Sequence, residues 1–148
     1  MKSNYHTHSY YCDGAGSPRG YVEEAISRNF TALGFSGHTP LPFANEWTMS
    51  DHDFPRYIEE IGQLKSEYAD TLDIFLGLET DYLDEKRNPA EAKYTRLSLD
   101  YQIGSVHHLY SPQEKRFIPV DASPEEIDRL LDKTYNGDIH ALVRDYYS

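Results

Sequence analysis

Short apolar runs alternate with amphipathic segments along the chain, and this rhythm constrains the fold more than any other feature. "SPRGYVEEAISRN" opens with Ser17 as a helix N-cap and Pro18 at the first helical position, with Val22, Ala25, Ile26 and Asn29 at helical spacing. "TALGF" follows as a buried strand. "SDHDFPRYIEEIGQLKSEYAD" sets Phe54, Tyr57, Ile58, Ile61, Leu64 and Tyr68 along one stripe. "DIFLGL" and "DYQIGSV" read as strands on either side of a short helix within "NPAEAKYTRLSL". "SPEEIDRLLDKTY" carries a capping box, Ser123 with Glu126, and "GDIHALVRDYYS" is helical again. With a short first strand near Ser3 to Tyr5, four strands alternate with helices. That order predicts parallel βαβ units and an α/β fold.

A chain of 148 residues suits one domain. Four βα units are nevertheless only about half of a closed barrel, which typically takes ~250 residues. The last segment runs into Tyr146, Tyr147 and Ser148 in helical register, with no Gly, Asn or Pro to stop it. The expectation is a single incomplete domain over 1–148, cut short at its C-terminus. Its open strand edges would permit self-association.

Each predicted strand ends in a residue of metal-binding type. The first runs into His6 and His8, "TALGFSGH" delivers His38, "DIFLGLE" delivers Glu79 and "DYQIGSVH" delivers His107. In parallel α/β folds the C-terminal strand ends open on one face, where sites are built. Period-two geometry puts His6 and His8 on the same side of an extended segment. Asp13, in the Gly-bracketed loop "CDGAG", can swing a carboxylate over the same mouth. Any one of these alone is an ordinary polar residue; recurrence at four strand ends carries the reading. Imidazoles and carboxylates without thiolates suit zinc, manganese or iron in a catalytic setting. A carboxylate such as Glu79 can bridge two ions, and paired ions suit hydrolysis of a phosphate ester.

Composition narrows the partners. A net charge of −11 repels phosphodiester backbones, which argues against nucleic acid and suits a small substrate. No apolar run is long enough to cross a bilayer, and the N-terminus "MKSNYHTHSYY" lacks the apolar core of a secretory signal. The single cysteine, Cys12, excludes an internal disulfide and points to a reducing cytoplasm. Cys12 reads as a free thiol that nothing pairs with. His52, in the charged first turn of a helix, reads as solvated, and His140, in the last helix, as a surface residue or one supporting a ligand. His108 points away from His107 if the strand continues, so it takes a packing or supporting role. Asp81 shares the Glu79 side of an extended segment and could orient a ligand or a proton. Lys115 and Arg116 read as solvated.

"HTHSYYCDG", "GFSGHTPLPF", "GLETDY" and "GSVHHL", in this order, resemble the polymerase and histidinol phosphatase (PHP) superfamily, and within it the monofunctional histidinol-phosphatases. The likeness covers nearly the whole chain. It implies the N-terminal portion, about four βα units, of a distorted (β/α)7 barrel with two or three divalent ions at its mouth. By this resemblance His6 and His8 are first-motif ligands, Glu79 a bridging carboxylate, His107 the completion of a second site, and Asp13 and His38 ligands of a third. Catalysis would fall to Glu79 and His107 through the ions they hold. The implied reaction is hydrolysis of L-histidinol phosphate to L-histidinol and phosphate, in histidine biosynthesis, by a metal-bound hydroxide. The family's later ligands, a strand-end histidine and a late Asp-x-His pair, do not occur here, so residues 1–148 alone are expected to be inactive or weakly active. The competing readings are another PHP phosphoesterase, such as a polymerase-associated nuclease module, and a non-catalytic metal-binding fragment.

Overall fold

The computed structural model describes residues 1–148, which form two compact units. The first comprises Met1–Thr80 and Ala92–Ile103, the second Asp81–Glu91 and Gly104–Ser148. No helix is long and apolar enough to cross a membrane.

In the first unit β1 (Ser3–Thr7), α1 (Pro18–Ser27), β2 (Ala32–Phe35), α2 (Asp53–Glu67), β3 (Asp73–Asp81), α3 (Ala92–Thr95) and β4 (Tyr101–Ser105) follow in sequence. The last residues of β3 and β4 belong to the second unit. The strands lie side by side in the order β1-β2-β3-β4. β1–β2 and β2–β3 are parallel, with Ser3 opposite Ala32 and Ala32 opposite Asp73. This is the α/β architecture expected from the alternation. The β1–β2 register slips between Asn4 and Thr7, the kind of irregularity that re-aims side chains near a site.

Local chemistry explains the elements. Ser17 Oγ accepts from Gly20 N at the start of α1, and Val22 and Ala25 are buried. Asn29, expected on the helical stripe, instead adopts φ 58° just beyond the helix. That left-handed conformation, which Asn tolerates, is what stops α1. On α2, Tyr57, Ile61 and Leu64 bury fully against Phe35, Ile74, Leu76 and Leu78 in the core. The Tyr57 hydroxyl donates to Gly77 O at 2.8 Å and accepts from Gly37 N at 3.2 Å, tying α2 to the sheet. Tyr101 lies across Gly77 so closely that a Cβ there would sit 2.4 Å from its ring, which only glycine permits. The Tyr101 hydroxyl donates to Tyr5 O at 2.6 Å.

The second unit has an element missing from the sequence reading. β5 (His108–Ser111) and β6 (Arg116–Pro119) form an antiparallel hairpin, His108 opposite Pro119 and Ser111 opposite Arg116. The signal was weak because each strand has four residues, and His108 and Leu109 are both buried, which removes alternation. The turn takes its left-handed residue as Lys115, φ 54°, instead of the usual Gly or Asn. α4 (Pro124–Tyr135) is capped by Ser123, whose Oγ accepts from Glu126 N. α5 (Ile139–Tyr146) is capped by Asp138, which accepts from His140 N and Ala141 N. Leu109, Ile118, Leu130 and Leu142 make this unit's own core. Lys115 sits in the turn, and Arg116 pairs with Glu114 and Glu126.

Candidate metal centre

The sheet ladder runs on past β2 and carries the site with it. Ser36 N donates to Thr7 O, Glu79 N donates to Gly37 O, and Thr39 N donates to Glu79 O, so His38 is bridged beside Glu79. β1 supplies His6 and its exit supplies His8, with ring centroids 5.0 Å apart. Three imidazoles converge on one carboxylate oxygen. Glu79 Oε2 lies 2.7 Å from His6 Nε2, 3.1 Å from His8 Nε2 and 3.6 Å from His38 Nδ1. Glu79 is buried, its side chain 4% exposed.

A folded-back loop adds the second carboxylate. Cys12 N and Gly14 N both donate to Ser9 O, pressing the loop onto β1's exit. Gly14 packs so tightly that a Cβ would lie 2.4 Å from the His8 carbonyl carbon. Asp13 Oδ1 therefore lies 2.7 Å from His8 Nδ1, and Oδ2 lies 3.7 Å from His38 Nε2. Burial opposes charge on His8, but hydrogen bonds with Cys12, Glu79 and Asp13 outweigh it and its pKa is pushed up to about 10. Asp13 is held below the ordinary carboxylate range: burial works the other way and His8 prevails. Burial likewise raises the Cys12 thiol while its hydrogen bond with His8 brings it down overall. Cys12 is a free thiol, as the sequence reading had it.

The donor set fits a divalent cation. His6, His8 and Glu79 offer ligand atoms within 4.8 Å of one another, and so do His8, Asp13 and His38. Ligand atoms around zinc at roughly 2.1 Å stand about 3.4 Å apart in a tetrahedron, close to the spacings on Glu79 Oε2. His8 belongs to both triads, but a neutral imidazole coordinates through one nitrogen. With Asp13 holding Nδ1, Nε2 is the nitrogen that faces Glu79.

Five of the six candidate ligands, His6, His8, Asp13, His38 and Glu79, thus form one cluster in the first unit. His107 lies in the second unit, where its Nδ1 is 2.9 Å from Asp81 Oδ1 and its backbone N is 3.4 Å from the same oxygen. His108 takes the packing or supporting role expected of it, though with a different orientation. Rather than pointing away, it is buried with Nδ1 3.7 Å from that same Asp81 oxygen, because a new strand begins at His108 and breaks the period of two. Burial would raise Asp81, but the hydrogen bond from His107 and the nearby His108 imidazole hold it below its ordinary range. His52, at the N-cap of α2, and His140, on α5, are exposed. Trp47 was missed. Its ring meets His38 edge-on, centroids 4.6 Å apart, and only its place in the loop after His38 hinted at it.

Fold and donor set together define an α/β domain built around a divalent-metal site. The chain belongs to the PHP domain family, whose sequence profile matches residues 4–147. It is similar to a histidinol-phosphatase of Bacillus subtilis (30% identical over 158 residues, 99% of this chain and 58% of that protein). It is also similar to a probable histidinol-phosphatase of Deinococcus radiodurans (33% over 148 residues, 97% of this chain and 52% of that protein). Among solved structures it resembles the histidinol phosphate phosphatase of Lactococcus lactis complexed with zinc, L-histidinol and phosphate. There the TM-score is 0.59 at 27% identity, over 86% of this chain and 49% of that one. The chain spans about half the length of the curated relatives it matches.

Proposed function

We propose that the whole protein, of which residues 1–148 carry these side chains, hydrolyses L-histidinol phosphate to L-histidinol and phosphate. The observation that carries the reading is the meeting of His6, His8 and His38 on Glu79 Oε2. The names of the relatives, and the zinc, L-histidinol and phosphate in the Lactococcus structure, point to the same substrate. His6, His8, Asp13, His38, Glu79 and His107 are the proposed ligands, with Glu79 bridging. Two or three divalent ions, zinc, manganese or iron, would supply the charge that activates water and neutralises phosphoryl oxygens. The chain's own part is to fix the donors. The sheet ladder holds His38 and Glu79, and Asp13 holds His8 Nδ1, leaving Nε2 as the nitrogen turned toward Glu79 and a cation. The lone cysteine supports a reducing, cytoplasmic setting. We read residues 1–148 alone as an incomplete PHP domain, because they span about half of their relatives, and expect little turnover from them in isolation.

Phosphate release by the whole protein tests this, with zinc or manganese and with L-histidinol phosphate against single-stranded DNA. Turnover of the phosphomonoester alone, abolished by Glu79→Gln, is expected. Cleavage of DNA without phosphate release from L-histidinol phosphate would establish the nuclease alternative, which the charge of −11 disfavours.

A further inference from the structure

We infer that Asp81 is a positioning residue that fixes the tautomer of His107, placing the ring proton on Nδ1 and the coordinating lone pair on Nε2. The inference rests on the proposal that His107 is a metal ligand.

Asp81 closes β3 two residues beyond Glu79, with its side chain only 2% exposed. One oxygen, Oδ1, faces both the His107 ring at 2.9 Å and the His107 backbone N–H at 3.4 Å. Ring and main chain are thus gripped by the same atom, which fixes position as well as ring rotation. A neutral imidazole has one N–H and one lone pair, and its hydrogen-bond partner decides which nitrogen carries which. A carboxylate can only accept, so the nitrogen facing Asp81 must be the donor. Nε2 is then the nitrogen able to hold a divalent cation. Carboxylates placed behind coordinating imidazoles in this way typically change metal affinity or activity 10- to 100-fold when removed.

His108 adds a reason for the carboxylate. Its Nδ1 is 3.7 Å from the same oxygen, and its ring is 3% exposed. Asp81 Oδ1 thus stands beside two adjacent imidazoles, and a carboxylate presents only acceptors to both. Asn at 81 keeps the shape but loses the charge, and its NH2 group, unlike a carboxylate oxygen, is able to turn toward the ring and donate to Nδ1. It should therefore loosen the preference and populate the Nε2–H tautomer of His107, which cannot coordinate through that nitrogen.

The test uses the whole protein with 15N-labelled histidine. In the metal-free wild type, the His107 ring nitrogens should report the Nδ1–H tautomer; an Nε2–H form there overturns the inference without any variant. Zinc affinity, read by chelator competition, should fall 10- to 100-fold in Asp81→Asn with the Nε2–H tautomer newly populated, and Asp81→Glu should recover part of it. In a His107→Ala background the Asp81→Asn loss should vanish, since the two act as one unit. A loss that persists at full size there overturns the inference. If His107→Ala weakens zinc and Asp81→Asn does not, the positioning role alone fails. If neither weakens zinc, the ligand assignment of His107 fails, and this inference with it.

Discussion

At the scale of single residues, His8 is where charge and geometry meet. Its pKa in the folded, metal-free protein is pushed up to about 10 from an ordinary 6.5. A raised pKa stabilises the fold fully below 6.5, and that contribution is lost as pH rises through about 10. The chelated protein should therefore lose thermal stability between pH 6.5 and 10, and His8→Asn should flatten the loss when both melting curves are compared. A metal must displace the same proton, so affinity should climb with pH over that window. Gly14→Ala should act on the same ring from the backbone. Its Cβ has no room against His8, so a destabilisation of about 1–3 kcal/mol and weaker zinc binding are expected from titration and calorimetry. The histidines and Glu79 were legible because strand ends announce themselves in an alternating sequence. The shared oxygen of Asp81 and the edge of Trp47 were not. They depend on loop closure and on a strand break at His108, which no periodicity encodes.

At the scale of elements, the sheet and its helices are joined by a few polar links inside an apolar core. Tyr57→Phe removes one hydroxyl and leaves Gly77 O and Gly37 N without it in a fully buried place. A loss of about 1–3 kcal/mol is expected, seen as a lower denaturant midpoint at constant slope. Ser123→Ala should cost about 1 kcal/mol by removing the cap of α4. Caps and stripes were readable, since Ser-Pro openings and i, i+3, i+4 spacing are local signals. The hairpin was not, because its strands are too short for a period and its turn puts Lys115 where glycine is usual.

At the scale of the whole molecule, two units with separate apolar cores carry the chain. Truncating the small core by Leu130→Ala should cost about 2–5 kcal/mol and should lower amide protection first in the second unit, by hydrogen exchange. The acidic balance, −11 overall, makes cation binding favourable before any ligand geometry is considered. Zinc at 100 times its Kd should stabilise the fold by about 2.7 kcal/mol, and a chelator should reverse this. The α/β class was legible from the alternation of elements. The division into two units was not, because it depends on which distant segments pack together.

The stitching of Gly37 through Thr39 to both sides of Glu79 bears on how fast the site can load. Most donors stand on backbone already locked in the sheet, so ion uptake should wait on shedding water and a proton, not on rearrangement of the main chain. Loading should then accelerate with alkalinity, and amide spectra before and after should coincide except around Cys12–Gly14, where Asp13 is carried by a loop instead of the sheet.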